Sequence, residues 1–127
     1  MLMFLIPMDN ERTQRIRNAL KEPYPRNLLL TINEGPRHTV GIPIENITQD
    51  NVDGLLFALT TLSDREQKMI RLRFVERMTY AAIGQVFGIS LERSRQLLVR
   101  AIRKLRDPDH LPYIKYGLQR CEERRKS

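Results

Sequence analysis

The chain has no tryptophan and one cysteine, and aromatic residues make up only 6% of its 127 positions. A mechanism that stacks a row of unpaired bases on aromatic side chains therefore has little to draw on. With Cys121 alone, no intrachain disulfide can form. His38 and His110 are far apart, and no Cys or His stands at zinc-ligand spacing, so neither a metal site nor a cofactor is expected. All three read as ordinary surface or packing residues. Long apolar runs are missing too. Met1 to Met8, MLMFLIPM, is too short to span a bilayer and lacks a cationic start and a small-residue cleavage site. It reads as a short strand, a partner contact, or an over-extended start ahead of Met8. A cytoplasmic protein without membrane contact is expected. No phosphate-cradling glycine loop, no nucleophile with a nearby base motif and no internal repeat occurs, so an enzyme is not expected.

What is present is positive charge, unevenly spread. The chain carries 22 Lys and Arg against 15 Asp and Glu, net +7. Residues 1–62 hold 6 basic and 7 acidic side chains, whereas residues 63–127 hold 16 basic and 8 acidic. A basic half joined to a neutral half predicts a polyanion footprint confined to the C-terminal part. A generic basic surface is the plainer alternative.

Taken in order, Asp9 to Glu22 can form a thin amphipathic helix ended by Pro23 and Pro25. Leu28, Leu30 and Ile32, then Val40, Ile42 and Ile44, alternate with other residues around Glu34-Gly35-Pro36, which predicts a two-stranded hairpin. Thr48 can cap a helix carrying Val52, Leu55, Leu56, Leu59 and Leu62. Ser63 to Glu66 has the capping-box form and starts another, with Met69, Ile70, Leu72 and Phe74 inside. Asp107-Pro108-Asp109 breaks the chain, and Leu111 to Leu118 forms one short final helix before a polar tail. The expected fold is mainly α, a helix-turn-helix bundle of about four helices with a small N-terminal helix and β-hairpin appendage. Its divisions are 1–47 for the appendage, 48–120 for the DNA-binding domain and 121–127 for the tail.

Thr79 to Arg106 is the most informative stretch. Thr79 and Ser90 are suited to cap two helices, and between them Gly88 falls where a positive φ must end the first. Gly84 costs about 1 kcal/mol against Ala inside a helix, and close approach of the second helix supplies the reason. At 100° per residue the second helix sorts Leu91, Ser94, Leu97, Leu98, Ala101, Ile102 and Leu105 to one side. Glu92, Arg93, Gln96, Arg100, Arg103 and Lys104 fall on the other. The second face offers cations for phosphates, and Glu and Gln for cytosine N4 and adenine N6/N7 in a major groove.

Leu62 to Asp107 resembles region four of the primary-type bacterial RNA polymerase sigma factors. The likeness is carried by Asp64-Arg65-Glu66, Arg71-Leu72-Arg73-Phe74, Ile83-Gly84, Phe87-Gly88-Ile89-Ser90, Glu92-Arg93-Ser94-Arg95-Gln96 and Ala101-Ile102-Arg103-Lys104-Leu105-Arg106. The resemblance implies double-stranded promoter DNA as ligand and the β flap of RNA polymerase as partner. It places Glu92 and Gln96 at base-reading positions, and Arg93, Arg95 and Arg100 at contacts to phosphate or polymerase. Arg103, Lys104, Thr79 and Ser90 are grouped with these contacts. Leu91 also stands at the base-reading edge, where the family usually has Arg and reads guanine. Ser94 replaces an aliphatic residue and Leu98 a charged one, which implies a shifted packing face.

Residues 1–47 contain only Phe4 and Tyr24 as aromatics and are too few for the family's promoter-melting domain, so either a second polypeptide supplies melting or the protein works as a DNA-binding regulator without being a full sigma factor. Two other readings stand beside this one. The chain is a self-sufficient dimeric repressor or activator reading two half-sites, or an adaptor that binds polymerase without DNA.

Overall fold

The computed structural model describes residues 18, 20–33 and 40–126. Among them run seven α-helices: α1 (Arg26–Asn33), α2 (Gln49–Thr60), α3 (Asp64–Phe74), α4 (Tyr80–Phe87), α5 (Leu91–Leu105), α6 (Leu111–Tyr116) and α7 (Leu118–Lys126). A single 3-10 turn, Ile44–Asn46, precedes α2. Four of the helices begin where a short polar side chain meets the orphan N–H groups of the first turn. Thr48 and Ser63 each form reciprocal capping boxes, with Asn51 and Glu66 respectively, while the Thr79 and Ser90 hydroxyls accept from the N–H groups of Ala82 and Arg93.

The expected hairpin does not form, and no strand occurs among the described residues. Leu28, Leu29, Leu30 and Ile32 are all buried on the one helix α1. A run buried on every side has no period of its own, so the alternation of 28, 30 and 32 could not separate a strand from a short core helix. Pro23 and Pro25 sit before and in its opening turn, where a missing N–H costs nothing, and their carbonyls accept from Asn27 and Leu29. The second half of the expected hairpin is irregular, with Gly41 at φ 66 and Ile44 opening the 3-10 turn, and meets no strand. Asn33 donates from Nδ2 to the Ile42 carbonyl and accepts the Ile42 N–H on Oδ1, both at 2.7 Å. One amide side chain thus takes both backbone groups that a facing strand would have paired. The Glu34–Pro36 turn lies outside the described residues, as does most of the helix expected over Asp9–Glu22.

Residues expected in an appendage pack into the common core. Leu28, Leu29, Ile32, Val40 and Ile42 share one apolar cluster with Leu55, Phe74, Ile83, Leu98 and Leu105. Three polar links reinforce this packing. Asn27 Nδ2 donates to the Phe74 carbonyl at 2.8 Å, and the Arg106 guanidinium reaches the Ile32 carbonyl at 3.2 Å. Arg77, at φ 58, donates to the carbonyls of Leu20, Lys21 and Glu22.

The C-terminal part differs from the sequence expectation in length. Gly117, at φ 103, separates α6 from α7, and the residues expected as a polar tail continue α7. Both helices dock on α2. Asp50 accepts from the N–H groups of Gln119 and Arg120 at 2.9 and 3.4 Å, placing a carboxylate at the positive end of α7. The buried Asn51 donates to the carbonyls of Ile114 and Lys115. Gly54 faces the Tyr113 backbone, and the Phe57 and Tyr113 rings lie 4.9 Å apart. No helix among the described residues is long and apolar enough to cross a membrane.

Candidate nucleic-acid interface

The two helices of the motif meet through backbone as much as through side chains. Gly88 has φ 68 and ψ 36 and closes α4, as its place in the sequence predicted. The Ile89 N–H then returns to the Gly84 carbonyl at 2.8 Å. A β-carbon on Gly84 would lie 2.6 Å from the Ile89 carbonyl oxygen and 3.2 Å from that of Ser90. The close approach is therefore to the turn leading into α5, rather than to the body of α5.

Gly84→Ala should lower the urea midpoint with an unchanged slope. Overpacking costs about 1–3 kcal/mol, and about 1 kcal/mol of helix propensity offsets part of it. A midpoint equal to or above the parent's would show that the turn yields freely.

α5 buries Ser94, Leu98, Ala101 and Leu105 against the rest of the fold. Ser94 and Leu98, two of the three departures from the family pattern, both belong to this stripe. The Ser94 hydroxyl is fully buried, and its single proton is shared between the carbonyls of Tyr80 and Leu91, each at 2.7 Å. A buried hydroxyl is costly only when unpaired, and here it ties α5 to the first residue of α4. Leu97 and Ile102 are only partly buried, and Leu91, sorted to the apolar side by periodicity, is 52% exposed.

The opposite face is open. Glu92, Arg93, Arg95, Gln96, Arg100, Arg103 and Lys104 are all exposed along α5. Three of these seven already have ionic partners. Arg95 donates from Nε to both Glu92 carboxylate oxygens at 3.1 and 3.2 Å and pairs through its Nη2 as well. Hydrogen bonds from Arg95 hold the Glu92 carboxyl below its usual range against a smaller opposing desolvation, with further help from Arg95's charge and from Gln96.

Lys104 does not simply face outward. Its ammonium meets Glu66 of α3 at 2.6 Å. Burial, the largest single influence on Glu66, raises its pKa, but the bonds from Lys104 and Ser63 outweigh it and leave the carboxyl below its ordinary value. The Thr79 and Ser90 hydroxyls serve as caps. Sequence reasoning passed over the cations that brace the motif from α3. Arg73 lies 4.6 Å over the Tyr80 ring and donates to the Met78 carbonyl, while Arg65 and Lys68 both lie 5.5 Å over Phe87. Their i,i+3 spacing was the available signal.

Residues 58–107 match the family model described as Sigma-70, region 4. The chain is also similar to two curated proteins named RNA polymerase sigma factor SigA, one from Listeria monocytogenes and one from Listeria innocua. Each is 43% identical over 65 residues, which is 48% of this chain and 17% of the relative. The chain thus spans about one sixth of the length of these relatives. No solved structure matches it significantly. The segment that resembles sigma-70 region 4 runs from the last turn of α2 through α5, and so contains the whole of the turn-and-helix arrangement that presents the cationic face.

Proposed function

We propose that this chain is a DNA-binding transcription factor of sigma region-four type that reads duplex promoter DNA in the major groove and contacts RNA polymerase. One observation carries the reading. α5 presents Glu92 and Gln96 among Arg93, Arg100 and Arg103 on one exposed face, with Leu91 exposed at its first position, and its start is held by a capped, glycine-closed turn. Recognition helices of this motif contact base edges with their N-terminal residues, and the flanking arginines then serve the phosphates. Both relatives are RNA polymerase sigma factors by name, which supports polymerase as partner. An open groove of about 550 Å³ beside α3, lined by Asp64, Lys68, Arg71, Leu72 and Met78 among others, supports Leu62 to Phe74 as the surface that meets the β flap. In this reading the protein acts in the cytoplasm.

The test is an affinity pull-down of the full chain from native lysate, with selection of bound DNA on the same material. Polymerase together with an asymmetric site supports the reading. A palindrome without polymerase would make the protein a self-sufficient dimer, and polymerase without DNA an adaptor.

The arginines make a separate prediction. Among the described residues, Arg100 and Arg103 have no ion pair, so their charge is available to phosphate. Arg100→Ala or Arg103→Ala should weaken binding to every duplex alike and reduce the salt slope by about one unit, because each phosphate contact releases about 0.9 counterion. An unchanged slope in both would remove them from the contact.

A further inference from the structure

We infer that Leu91 reads the 5-methyl group of a thymine. The inference rests on the proposal that α5 enters a major groove. Leu91 is the first residue of α5 and is 52% exposed, a large apolar side chain standing free at the helix end, followed in the same turn by the exposed Glu92 and Arg93. Its backbone is held firmly. The Ser90 hydroxyl caps the turn it opens at 3.0 Å from the Arg93 N–H, and its own carbonyl accepts from the buried Ser94 hydroxyl at 2.7 Å. The point from which the side chain projects is thus set, and the side chain itself has no polar atom.

The chemistry of the groove narrows what it can recognise. Of the groups that base pairs expose there, the N7, O6 and O4 atoms are acceptors and the N4 and N6 amino groups are donors, and only the thymine C5-methyl is apolar. Leucine satisfies neither donors nor acceptors, so placing it over a guanine or cytosine edge strips water from polar atoms without replacing their hydrogen bonds. Over a thymine methyl it buries apolar surface on both partners. The neighbouring side chains are equipped for other edges. Glu92, whose carboxylate Arg95 already orients through Nε, accepts from cytosine N4, and Gln96 is suited to adenine.

The probe is the site selected by the full chain from a random duplex pool. Each thymine in turn is replaced by deoxyuridine, which removes the methyl and leaves the hydrogen-bonding edge intact. One thymine should lose about fourfold in affinity on this exchange, the equivalent of about 0.8 kcal/mol for one buried methyl-sized group. In Leu91→Ala the same exchange should cost less than about 1.5-fold, and Leu91→Arg should move the preference at that position toward guanine. Circular dichroism on both variants checks that α5 is retained. If the chain selects a site but no uracil replacement costs more than the scatter between positions, or if Leu91→Ala keeps the full penalty, the inference is overturned and the groove reading stands. If the parent chain selects no sequence at all, the groove reading fails first.

Discussion

Replacing Gly54 by alanine should lower the melting temperature by about 10 °C. The usual sign is the reverse, since alanine gains about 1 kcal/mol over glycine in a helix interior. At this position a β-carbon would fall well inside the van der Waals radius of the Tyr113 carbonyl and 3.1 Å from the Ile114 nitrogen. Those are backbone atoms, so no rotamer change can clear the space, and α6 must move off α2. Movement of that kind breaks the hydrogen bonds of the buried Asn51 to Ile114 and Lys115, and leaving a buried amide unpaired costs about 1–3 kcal/mol. Adding an overpacking cost of about 1–3 kcal/mol and subtracting the helix gain leaves about 3 kcal/mol, which corresponds to the stated shift for a domain of this size. Gly88→Ala is the comparison. It has φ 68 but nothing within 4 Å of its would-be β-carbon, so it should lose only the left-handed backbone cost of about 1–2 kcal/mol. Thermal unfolding followed by circular dichroism separates the two. A Gly54→Ala protein that melts at or above the parent would mean that α6 does not rest on α2.

The contrast between these glycines shows which parts of the fold could be read from the chain. Helix starts were legible because an N-cap acts on its own next three residues, and Thr48, Ser63, Thr79 and Ser90 all cap as their sequence context indicates. Gly88 was legible for the same local reason. Gly54, Asp50 and Asn51 were not, since each is explained by a partner more than 50 residues away, and nothing in QDNVDG announces α6 or α7. The hairpin failed at a related point. Leu28 to Ile32 is buried on all sides, and Asn33 answers Ile42 with a side chain, which no alternation pattern encodes. In the candidate interface, periodicity found the exposed cations of α5. It could not see that Lys104 turns to Glu66, that Arg95 closes on Glu92, or that the end position of Leu91 leaves it exposed.

That Arg95–Glu92 pair gives Glu92 and Gln96, both proposed to read bases, opposite signatures. Gln96→Ala should weaken the selected site by about 5- to 150-fold, the range for losing 1–3 kcal/mol at one base pair, with binding to random duplex unchanged because no charge is removed. Glu92→Ala should relax discrimination by a similar factor at a different base pair while strengthening binding to random duplex. Its loss raises the net charge from +7 to +8 and releases Arg95, which the carboxylate holds in the free protein. A freed guanidinium at the front of α5 becomes available to a phosphate and should steepen the salt dependence by about one unit of slope. A Glu92→Ala, Arg95→Ala double variant should lose that added slope and return the net charge to +7, yet remain relaxed at the base Glu92 reads. Fluorescence anisotropy on the selected site and on random duplex, each across a salt series, distinguishes these outcomes. Should Glu92→Ala weaken both duplexes equally and leave the slope untouched, then its pairing with Arg95 orients a helix surface and reads no base.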